Sequence, residues 1–265
     1  MRAGLLGRKL GHSLSPQIHK FFGDYEYRLY EREPEEVEAF LRGGFAAGEF
    51  DFLNVTIPYK QQVMQFLDEL DPVAVRIGAI NTVKVMKASD GVSTKLPGLF
   101  LKGYNTDIIG FRDSIKPLLI DVGILNDDNS SINSSDSLQT KALLLGTGGA
   151  SKAVKVALED MGIEPVYVSR SAAPGRLTYN ELNAEMMKDY LVIVNCSPVG
   201  MYPHVEECPA IPYEALTSKH VCYDLIYNPA ETMFLTKAKA QGAKVMSGGA
   251  MLEGQAIASY EIWTR

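Results

Sequence analysis

Cysteine and histidine are scarce in this sequence, and that scarcity excludes several kinds of site. The chain has 265 residues, of which 3 are cysteine and 4 are histidine. The cysteines form no CxxC pair, and the histidines are scattered without metal-ligand spacing. We therefore expect reduced cysteines with a structural role, no bound metal, and a cytoplasmic protein.

Long apolar runs and basic stripes are also missing. No apolar run approaches the roughly 18 residues from which a membrane-spanning helix is predicted, so no membrane segment is expected. The chain has 26 basic and 32 acidic residues, a net charge of −6. No basic stripe with interleaved aromatic residues occurs, so a nucleic-acid partner is not expected. A composition of 46% hydrophobic and 22% charged residues is that of a globular protein.

Apolar periodicity predicts alternating strands and helices along the chain. The first part closes with a pair of strands, so an α/β fold with a mostly parallel sheet and a mixed edge is expected. A polar, low-complexity segment at 126–140 then predicts a mobile surface loop. Strands are predicted at 1–6, 27–30, 52–57, 80–86, 99–104, 165–168, 191–195, 221–225 and 244–246, with helices between most of them and a last helix from near residue 249.

The most informative motif is the glycine turn KALLLGTGGAS, residues 141–151. An apolar run is followed by Gly146, Gly148 and Gly149, and a helix pattern of small residues begins at Ala150. Strand, glycine turn and helix in this order are typical of a dinucleotide site, where backbone N–H groups approach the pyrophosphate. The alternative is a tight turn without a ligand.

The end of the next predicted strand indicates which dinucleotide is bound. An NAD site usually has Asp or Glu there to hold the ribose hydroxyls. This chain has Ser169, Arg170 and Ser171 instead. An arginine with two hydroxyls suits the 2′-phosphate of NADP, so NADP(H) is the predicted cofactor.

The glycine turn needs a sheet of its own, which predicts two domains. A Rossmann-like, doubly wound nucleotide domain would span 108–246. Residues 1–107 and 247–265 would form an N-terminal α/β substrate domain, with a cleft between the two domains. The last helix is assigned to the first domain because its apolar face needs a sheet to cover.

Two charged residues are candidates for acid–base chemistry. Lys60, in NVTIPYK, stands three residues before Val63 and seven before Leu67 in a predicted helix, which directs its ammonium toward the buried side. Such a lysine can exchange a proton with a substrate; the alternative is a surface lysine. Asp107, in GYNTD, ends a strand and either orients Lys60 or caps the next helix.

Hydroxyl and amide side chains near element ends are further candidates. Ser13 and Ser15 precede a predicted helix and suit a carboxylate clamp, although Ser15 alone also suits a helix cap. Asn81 and Thr82, at the start of a strand, either bind a ligand or hydrogen-bond a turn. Gln255 is either exposed or a contact to a substrate hydroxyl. The NCSPVGM segment, at 195–201, follows a buried strand and either lines a cofactor crevice or forms an ordinary turn.

Together these segments resemble the shikimate dehydrogenase family over nearly the whole chain. The resemblance implies reduction of 3-dehydroshikimate to shikimate with NADPH, in aromatic amino-acid biosynthesis, by a monomer or homodimer. Two alternatives are a quinate/shikimate dehydrogenase that uses NAD or NADP, and an NADP-binding regulator without catalysis. The matching stretches, in the family's order, are GHSLSPQIH, NVTIPYK, GAINTV, GYNTD, LLLGTGGAS, NCSPVGM, YDLIYNP and GGAMLEGQA.

The resemblance also implies roles for individual residues. Lys60 and Asp107 correspond to the catalytic pair, Ser13 and Ser15 to the ligands of the substrate carboxylate, and no metal is implied. The other implied substrate ligands are Thr56, Asn81, Thr106, Gln255 and Tyr227. The implied cofactor-binding residues are Gly146, Gly148, Gly149, Ala150, Ser169, Arg170, Ser197, Met201 and Gly248.

Overall fold

The structure is a computed structural model that describes residues 1–11, 13–89, 91–126 and 140–265. The polar segment predicted to be a surface loop, 126–140, lies outside these ranges apart from its two end residues. Among the helices in the described ranges, none has the length and apolar character needed to cross a membrane.

The first part of the chain builds a mixed six-stranded sheet, in the order β2-β1-β3-β5-β6-β4. β1 pairs in parallel with β2 and β3, whereas β5 is antiparallel to both β3 and β6. The predicted mixed edge is thereby confirmed. The elements are β1 (Arg2–Gly7), α1 (Ser15–His19), β2 (Glu26–Glu31), α2 (Val37–Ala46), β3 (Phe52–Val55), β4 (Glu69–Leu70), α3 (Pro72–Ile77), β5 (Thr82–Lys87) and β6 (Leu99–Tyr104), with 3₁₀ helices at Pro34–Glu36 and Gln62–Phe66.

The second part builds a six-stranded sheet in which every pairing is parallel, in the order β12-β11-β10-β7-β8-β9. This is the predicted Rossmann-like arrangement. The strand order reverses at β7, the place where ligands bind in such sheets. The elements are α4 (Asp107–Asp121), β7 (Lys141–Leu145), α5 (Gly149–Asp160), β8 (Glu164–Ser169), β9 (Arg176–Thr178), β10 (Val192–Asn195), β11 (Val221–Asp224), α6 (Met233–Ala240), β12 (Lys244–Met246) and α7 (Gly249–Thr264).

The prediction of helices on both sides of β10 is wrong. Between β8 and β10 the chain forms β9 and the 3₁₀ helices Tyr179–Glu181 and Met186–Lys188, and between β10 and β11 it forms the 3₁₀ helix Tyr213–Ala215. Proline explains the difference after β10, because it lacks an N–H donor and its ring breaks a regular helix. The prolines of that segment are Pro198, Pro203, Pro209 and Pro212.

The chain forms two compact units, residues 1–107 with 255–265 and residues 108–254. The division falls inside α7, whereas we assigned the chain from 247 onward to the first domain. Close packing explains why the start of α7 belongs to the second unit: a Cβ on Gly254 would lie 3.0 Å from the Cα atom of Gly110 in α4. In the first unit, Trp263 of α7 stacks on Phe52 and on His19, each at a ring-centroid distance of 5.4 Å.

Candidate active site

Lys60 and Asp107 form a buried ion pair in the first unit. The Nζ atom of Lys60 donates to Oδ2 of Asp107 at 2.6 Å, and the two side chains are 12% and 6% exposed. The predicted helix around Lys60 is wrong, since this residue lies in a turn and a 3₁₀ helix ends at Phe66. The segment that follows forms strand β4, which pairs with β6, so the helix cannot continue there. The side chain nevertheless points inward, as the spacing predicts.

Asp107 is held by side chains from two other segments. Its Oδ1 atom accepts a hydrogen bond from Nδ2 of Asn81 at 2.9 Å, while Oδ2 accepts from Lys60. The backbone N–H of Asp107 donates to Oδ1 of Asn105 at 3.1 Å. The side chain of Asn105, and not that of Asp107, therefore satisfies the backbone at the start of α4. The carboxylate of Asp107 is left to orient Lys60.

Asn81 lies at the centre of a buried polar network. Its Oδ1 atom accepts from the N–H of Thr106 at 2.7 Å and from the hydroxyl of Thr82 at 3.0 Å. Its Nδ2 atom also contacts Oγ1 of Thr106 at 2.9 Å and Oε1 of Gln255 at 3.4 Å. Thr82 and Thr106 are fully buried. Because an unbonded polar group is costly in such a place, the network selects a single arrangement of these side chains.

Sequence reasoning missed three members of this network. Asn54 of β3 donates from Nδ2 to the hydroxyl of Ser259 at 3.0 Å and accepts at Oδ1 from the hydroxyl of Tyr27 at 2.9 Å. Burial raises the pKa of Tyr27 well above its usual value, so this hydroxyl stays protonated and remains a donor. A signal was present for two of them, since Asn54 and Ser259 occupy positions where the periodicity predicts an apolar residue.

Ser13 and Ser15 are adjacent in space, as a carboxylate clamp requires. The hydroxyl of Ser13 donates to that of Ser15 at 3.2 Å and accepts from the N–H of Ser15 at 3.3 Å. Leu14 occupies the cap position of α1, so the alternative role of Ser15 as the helix cap is not observed.

Two predicted substrate ligands, Thr56 and Tyr227, lie outside the hydrogen bonds described above. Thr56 is half-buried, directly follows β3, and donates its N–H to the carbonyl of Leu6 at 2.9 Å. Tyr227 belongs to the second unit, in the loop after β11, where burial raises the pKa of its hydroxyl. Five of the other predicted side chains of the first unit form one connected set, and Ser13 and Ser15 are bonded to each other. The five are Lys60, Asn81, Thr106, Asp107 and Gln255.

The glycine turn connects β7 to α5 in the second unit. Gly146 has φ +114°, and a Cβ there would lie 3.1 Å from the backbone nitrogen of Ser197, so only glycine fits. The N-cap is Gly148, and open space surrounds the position that its Cβ would take. The first N–H groups of a helix, here those of Gly149 and Ala150, lack intrahelical acceptors. Exposed backbone beside a positive helix end fits the pyrophosphate of a dinucleotide.

Neighbouring strand ends carry the other predicted cofactor residues of this sheet edge. The hydroxyl of Ser169, at the end of β8, donates to the carbonyl of Ser171, and Arg170 is exposed to solvent. After β10, the N–H and hydroxyl of Ser197 donate to Oδ1 of Asn195 at 3.1 and 2.7 Å. Met201 is 46% exposed. The carboxyl ends of parallel strands meet at one edge, so these segments adjoin the glycine turn.

A buried carboxylate that is not among the predicted site residues, that of Asp224, joins two segments at this edge of the sheet. Asp224, the last residue of β11, accepts at Oδ1 from Nδ2 of Asn195 at 3.1 Å and at Oδ2 from the hydroxyl of Thr232 at 2.6 Å. Burial raises the pKa of Asp224 to about 6, although these hydrogen bonds favour the charged form. Asp224 therefore ties the segment that carries Ser197 to the loop after β11.

Gly248 is enclosed by backbone. A Cβ on this residue would lie 2.1 Å from the carbonyl oxygen of Leu225, and its N–H donates to the carbonyl of Ile226 at 3.0 Å. Across the described ranges, no group of three or more His, Cys, Asp or Glu side chains has the geometry to hold a metal ion.

Known proteins resemble this chain in sequence along almost its full length. The family model of the shikimate dehydrogenase substrate binding domain matches residues 5–83. Shikimate dehydrogenase (NADP(+)) from Clostridium beijerinckii is 37% identical over 275 residues, which cover 98% of this chain and 90% of that protein. This chain belongs to the shikimate dehydrogenase family. The family predicted from the ordered motifs is thereby confirmed.

Solved structures of shikimate dehydrogenase family members have the same fold. A chorismate mutase/shikimate 5-dehydrogenase fusion protein from Clostridium acetobutylicum is 35% identical, with a TM-score of 0.78 over 98% of this chain and 90% of that chain. Shikimate 5-dehydrogenase from Thermus thermophilus, solved in complex with NADP(H) and shikimate, is 29% identical, with a TM-score of 0.77 over 100% of this chain and 93% of that chain. The predicted two-domain α/β fold of the family is therefore also confirmed.

Proposed function

We propose that this chain catalyses the reversible, NADPH-dependent reduction of 3-dehydroshikimate to shikimate, in aromatic amino-acid biosynthesis. The observation that carries the proposal is the buried ion pair of Lys60 and Asp107, bonded to the amide of Asn81 within one unit. The relative named shikimate dehydrogenase (NADP(+)) and the relative solved with NADP(H) and shikimate support it. A cytoplasmic location and a monomeric or dimeric state are part of the same proposal.

In this proposal the first unit binds the substrate. The hydroxyls of Ser13 and Ser15 take the carboxylate, because two adjacent hydroxyls can each donate to one of its oxygens. Amide and hydroxyl groups that converge from separate segments suit a ring with several hydroxyls. The proposed ligands of the ring are Thr56, Asn81, Thr106 and Gln255.

Lys60 provides the proton that reduction requires. NADPH supplies the hydride, and negative charge then develops on the ketone oxygen of the substrate. The ammonium of Lys60 gives its proton to that oxygen and recovers it when the reaction runs toward the ketone. Asp107 keeps the ammonium directed through its 2.6 Å hydrogen bond, and Asn81 keeps Asp107 in place.

The second unit holds the dinucleotide in this proposal. Gly146, Gly148, Gly149 and Ala150 present backbone N–H groups to the pyrophosphate. Ser169 and Arg170 take the 2′-phosphate. The remaining proposed contacts to the cofactor and to the reacting end of the substrate are Ser197, Met201, Tyr227 and Gly248.

Steady-state turnover of shikimate and of quinate, each with NADP⁺ and with NAD⁺, tests the proposal. We expect the highest kcat/KM for shikimate with NADP⁺. Faster turnover of quinate would support a quinate/shikimate dehydrogenase instead. Tight binding of NADP⁺ without turnover of either substrate would support a regulator that has lost catalysis.

Arg170→Ala tests the choice of dinucleotide. We expect KM for NADPH to rise by about 10- to 100-fold, because a charge-assisted hydrogen bond to phosphate is worth about 1.5–3 kcal/mol. KM for NADH, which lacks the phosphate, should change little. The control is Arg112→Ala, since Arg112 is an exposed arginine of the same unit that pairs with Asp113. An equal rise of KM for NADPH and NADH in Arg170→Ala would refute the 2′-phosphate role.

A further inference from the structure

Ser259 is a buried polar residue with no role in the chemistry described above. It lies in α7, one turn beyond Gln255 on the same face of the helix, and its side chain is fully buried. A buried hydroxyl costs free energy unless it is hydrogen-bonded, so its partners indicate what it does.

The hydroxyl of Ser259 has four neighbours. It donates to the carbonyl of Gln255 at 2.9 Å and accepts from Nδ2 of Asn54 at 3.0 Å. The hydroxyls of Thr82 and Thr106 lie 2.8 and 3.0 Å away. A hydroxyl has one donor and two acceptor sites, so after the carbonyl and Asn54 only one threonine can donate to it.

This limit leaves two patterns for the threonine hydroxyls. In the first, Thr106 donates to Ser259 at 3.0 Å and Thr82 donates to Oδ1 of Asn81 at 3.0 Å. In the second, Thr82 donates to Ser259 at 2.8 Å and Thr106 donates to Oδ1 of Asn81 at 3.2 Å. In both patterns the amide oxygen of Asn81 faces the threonines and its nitrogen faces Asp107.

Ser259 also fixes the turn of α7 that carries Gln255. Its hydroxyl bonds back to the carbonyl of Gln255 and, through Asn54, joins the helix to β3. The side chain of Gln255 reaches Nδ2 of Asn81 with its Oε1 atom at 3.4 Å. The hydroxyl of Ser259 thus contacts two side chains that bond to the amide of Asn81, those of Thr82 and Thr106, and the backbone of Gln255, whose side chain reaches the same amide.

We propose that Ser259 is a positioning residue that sets the orientation of Asn81, Thr106 and Gln255 toward the hydroxyls of the substrate ring. The inference rests on the proposed function, in which these three residues bind the ring. Without Ser259, an N–H of Asn54 and one threonine hydroxyl lose a partner. The hydroxyls of Thr82 and Thr106 then compete for Oδ1 of Asn81, 3.0 and 3.2 Å away, which disturbs the amide that faces the ring.

Ser259→Ala tests this role through binding rather than stability alone. We expect the Kd of shikimate, measured by calorimetry, to rise by about 3- to 10-fold, as the loss of one or two hydrogen bonds predicts. The Kd of NADP⁺ should stay unchanged. Discrimination between shikimate and cyclohex-1-ene-1-carboxylate, which keeps the carboxylate and lacks the ring hydroxyls, should fall by a similar factor, because the contact that is lost is to a ring hydroxyl. Ser259→Cys, which keeps a weaker donor and acceptor, should fall between Ser259→Ala and the wild type.

The matched control is Ser114→Ala. Ser114 is also a helical serine that donates to a carbonyl four residues earlier, that of Gly110 at 2.7 Å, and its hydroxyl contacts that of Tyr223 at 2.7 Å, all in the second unit. It should lower the melting temperature by a similar amount and leave the Kd of shikimate unchanged.

Three results would overturn the inference: an unchanged Kd of shikimate in Ser259→Ala, an equal loss of affinity for shikimate and cyclohex-1-ene-1-carboxylate, or an equal loss in Ser114→Ala. A wild-type protein that binds NADP⁺ but not shikimate would overturn the proposed function and this inference with it. That result can be distinguished from the other three because it is measured on the wild-type protein alone.

Discussion

Lys60→Met is expected to lower kcat for shikimate oxidation by about 10²- to 10⁴-fold, the contribution that general acid–base catalysis commonly makes. Methionine keeps most of the length and the apolar stem of lysine but cannot carry a proton. KM for NADP⁺ should stay within about twofold, because Lys60 belongs to the first unit and the proposed dinucleotide residues to the second. Initial rates at saturating concentrations of both substrates measure the effect.

The substitution also removes one partner of a buried ion pair, so a loss of folding must be separated from a loss of chemistry. Breaking such a pair leaves a buried charge uncompensated and costs about 3–5 kcal/mol. The melting temperature of Lys60→Met measures the loss of stability, and Lys102→Met is the control for the change of residue type. Lys102 pairs with Glu69 at 2.5 Å in the same unit, in a more exposed pair, and takes no part in the polar network. Lys102→Met should keep wild-type kcat. If Lys60→Met is folded and keeps wild-type kcat, Lys60 is not the proton donor.

Elements specified by local sequence were predictable. The apolar residues that begin at Leu99 and the glycines after Leu145 each predict an element from a few neighbouring residues, and both β6 and the turn before α5 are observed. The two charges were also within reach, because NVTIPYK and GYNTD each carry one charged side chain after a strand. On the residues alone, a bond between Lys60 and Asp107 was one of two alternatives, and the family resemblance implied it; the two side chains are bonded at 2.6 Å.

Features that depend on distant partners were not predictable. The segment after Lys60 has helical spacing, yet Leu70 belongs to strand β4. It does so because the backbone of β4 pairs with that of β6. The roles of Asn54 and Ser259 depend on a contact between residues 205 positions apart in the chain. Periodicity marks both residues as exceptions in apolar surroundings but does not say which partners satisfy them.

Position 248 requires glycine because of close packing, not because of its backbone conformation. Its backbone is not left-handed, so alanine is not excluded by φ. A Cβ would instead lie 2.1 Å from the carbonyl oxygen and 2.5 Å from the carbonyl carbon of Leu225, both of them backbone atoms directly after β11. No flexible side chain can move aside to relieve this overlap.

Gly248→Ala is therefore expected to lower the free energy of unfolding by about 3 kcal/mol, since backbone must shift to admit the methyl group. The shift would also strain the hydrogen bond from Gly248 to the carbonyl of Ile226 and displace the loop that carries Tyr227, so the Kd of NADP⁺ should rise as well. Urea denaturation and calorimetry with NADP⁺ measure the two effects.

The adjacent residue provides the control for this prediction. A Cβ on Gly249 would meet only the hydroxyl of Ser247, at 3.8 Å, and the residue begins α7, where alanine is a better helix former than glycine. Gly249→Ala should therefore change stability by less than about 1 kcal/mol, toward the stable side. Equal stability of Gly248→Ala and Gly249→Ala would show that the backbone after β11 shifts at little cost in free energy. The requirement for glycine at position 248 would then come from contact with the dinucleotide alone, and Gly248→Ala would lose NADP⁺ affinity without losing stability.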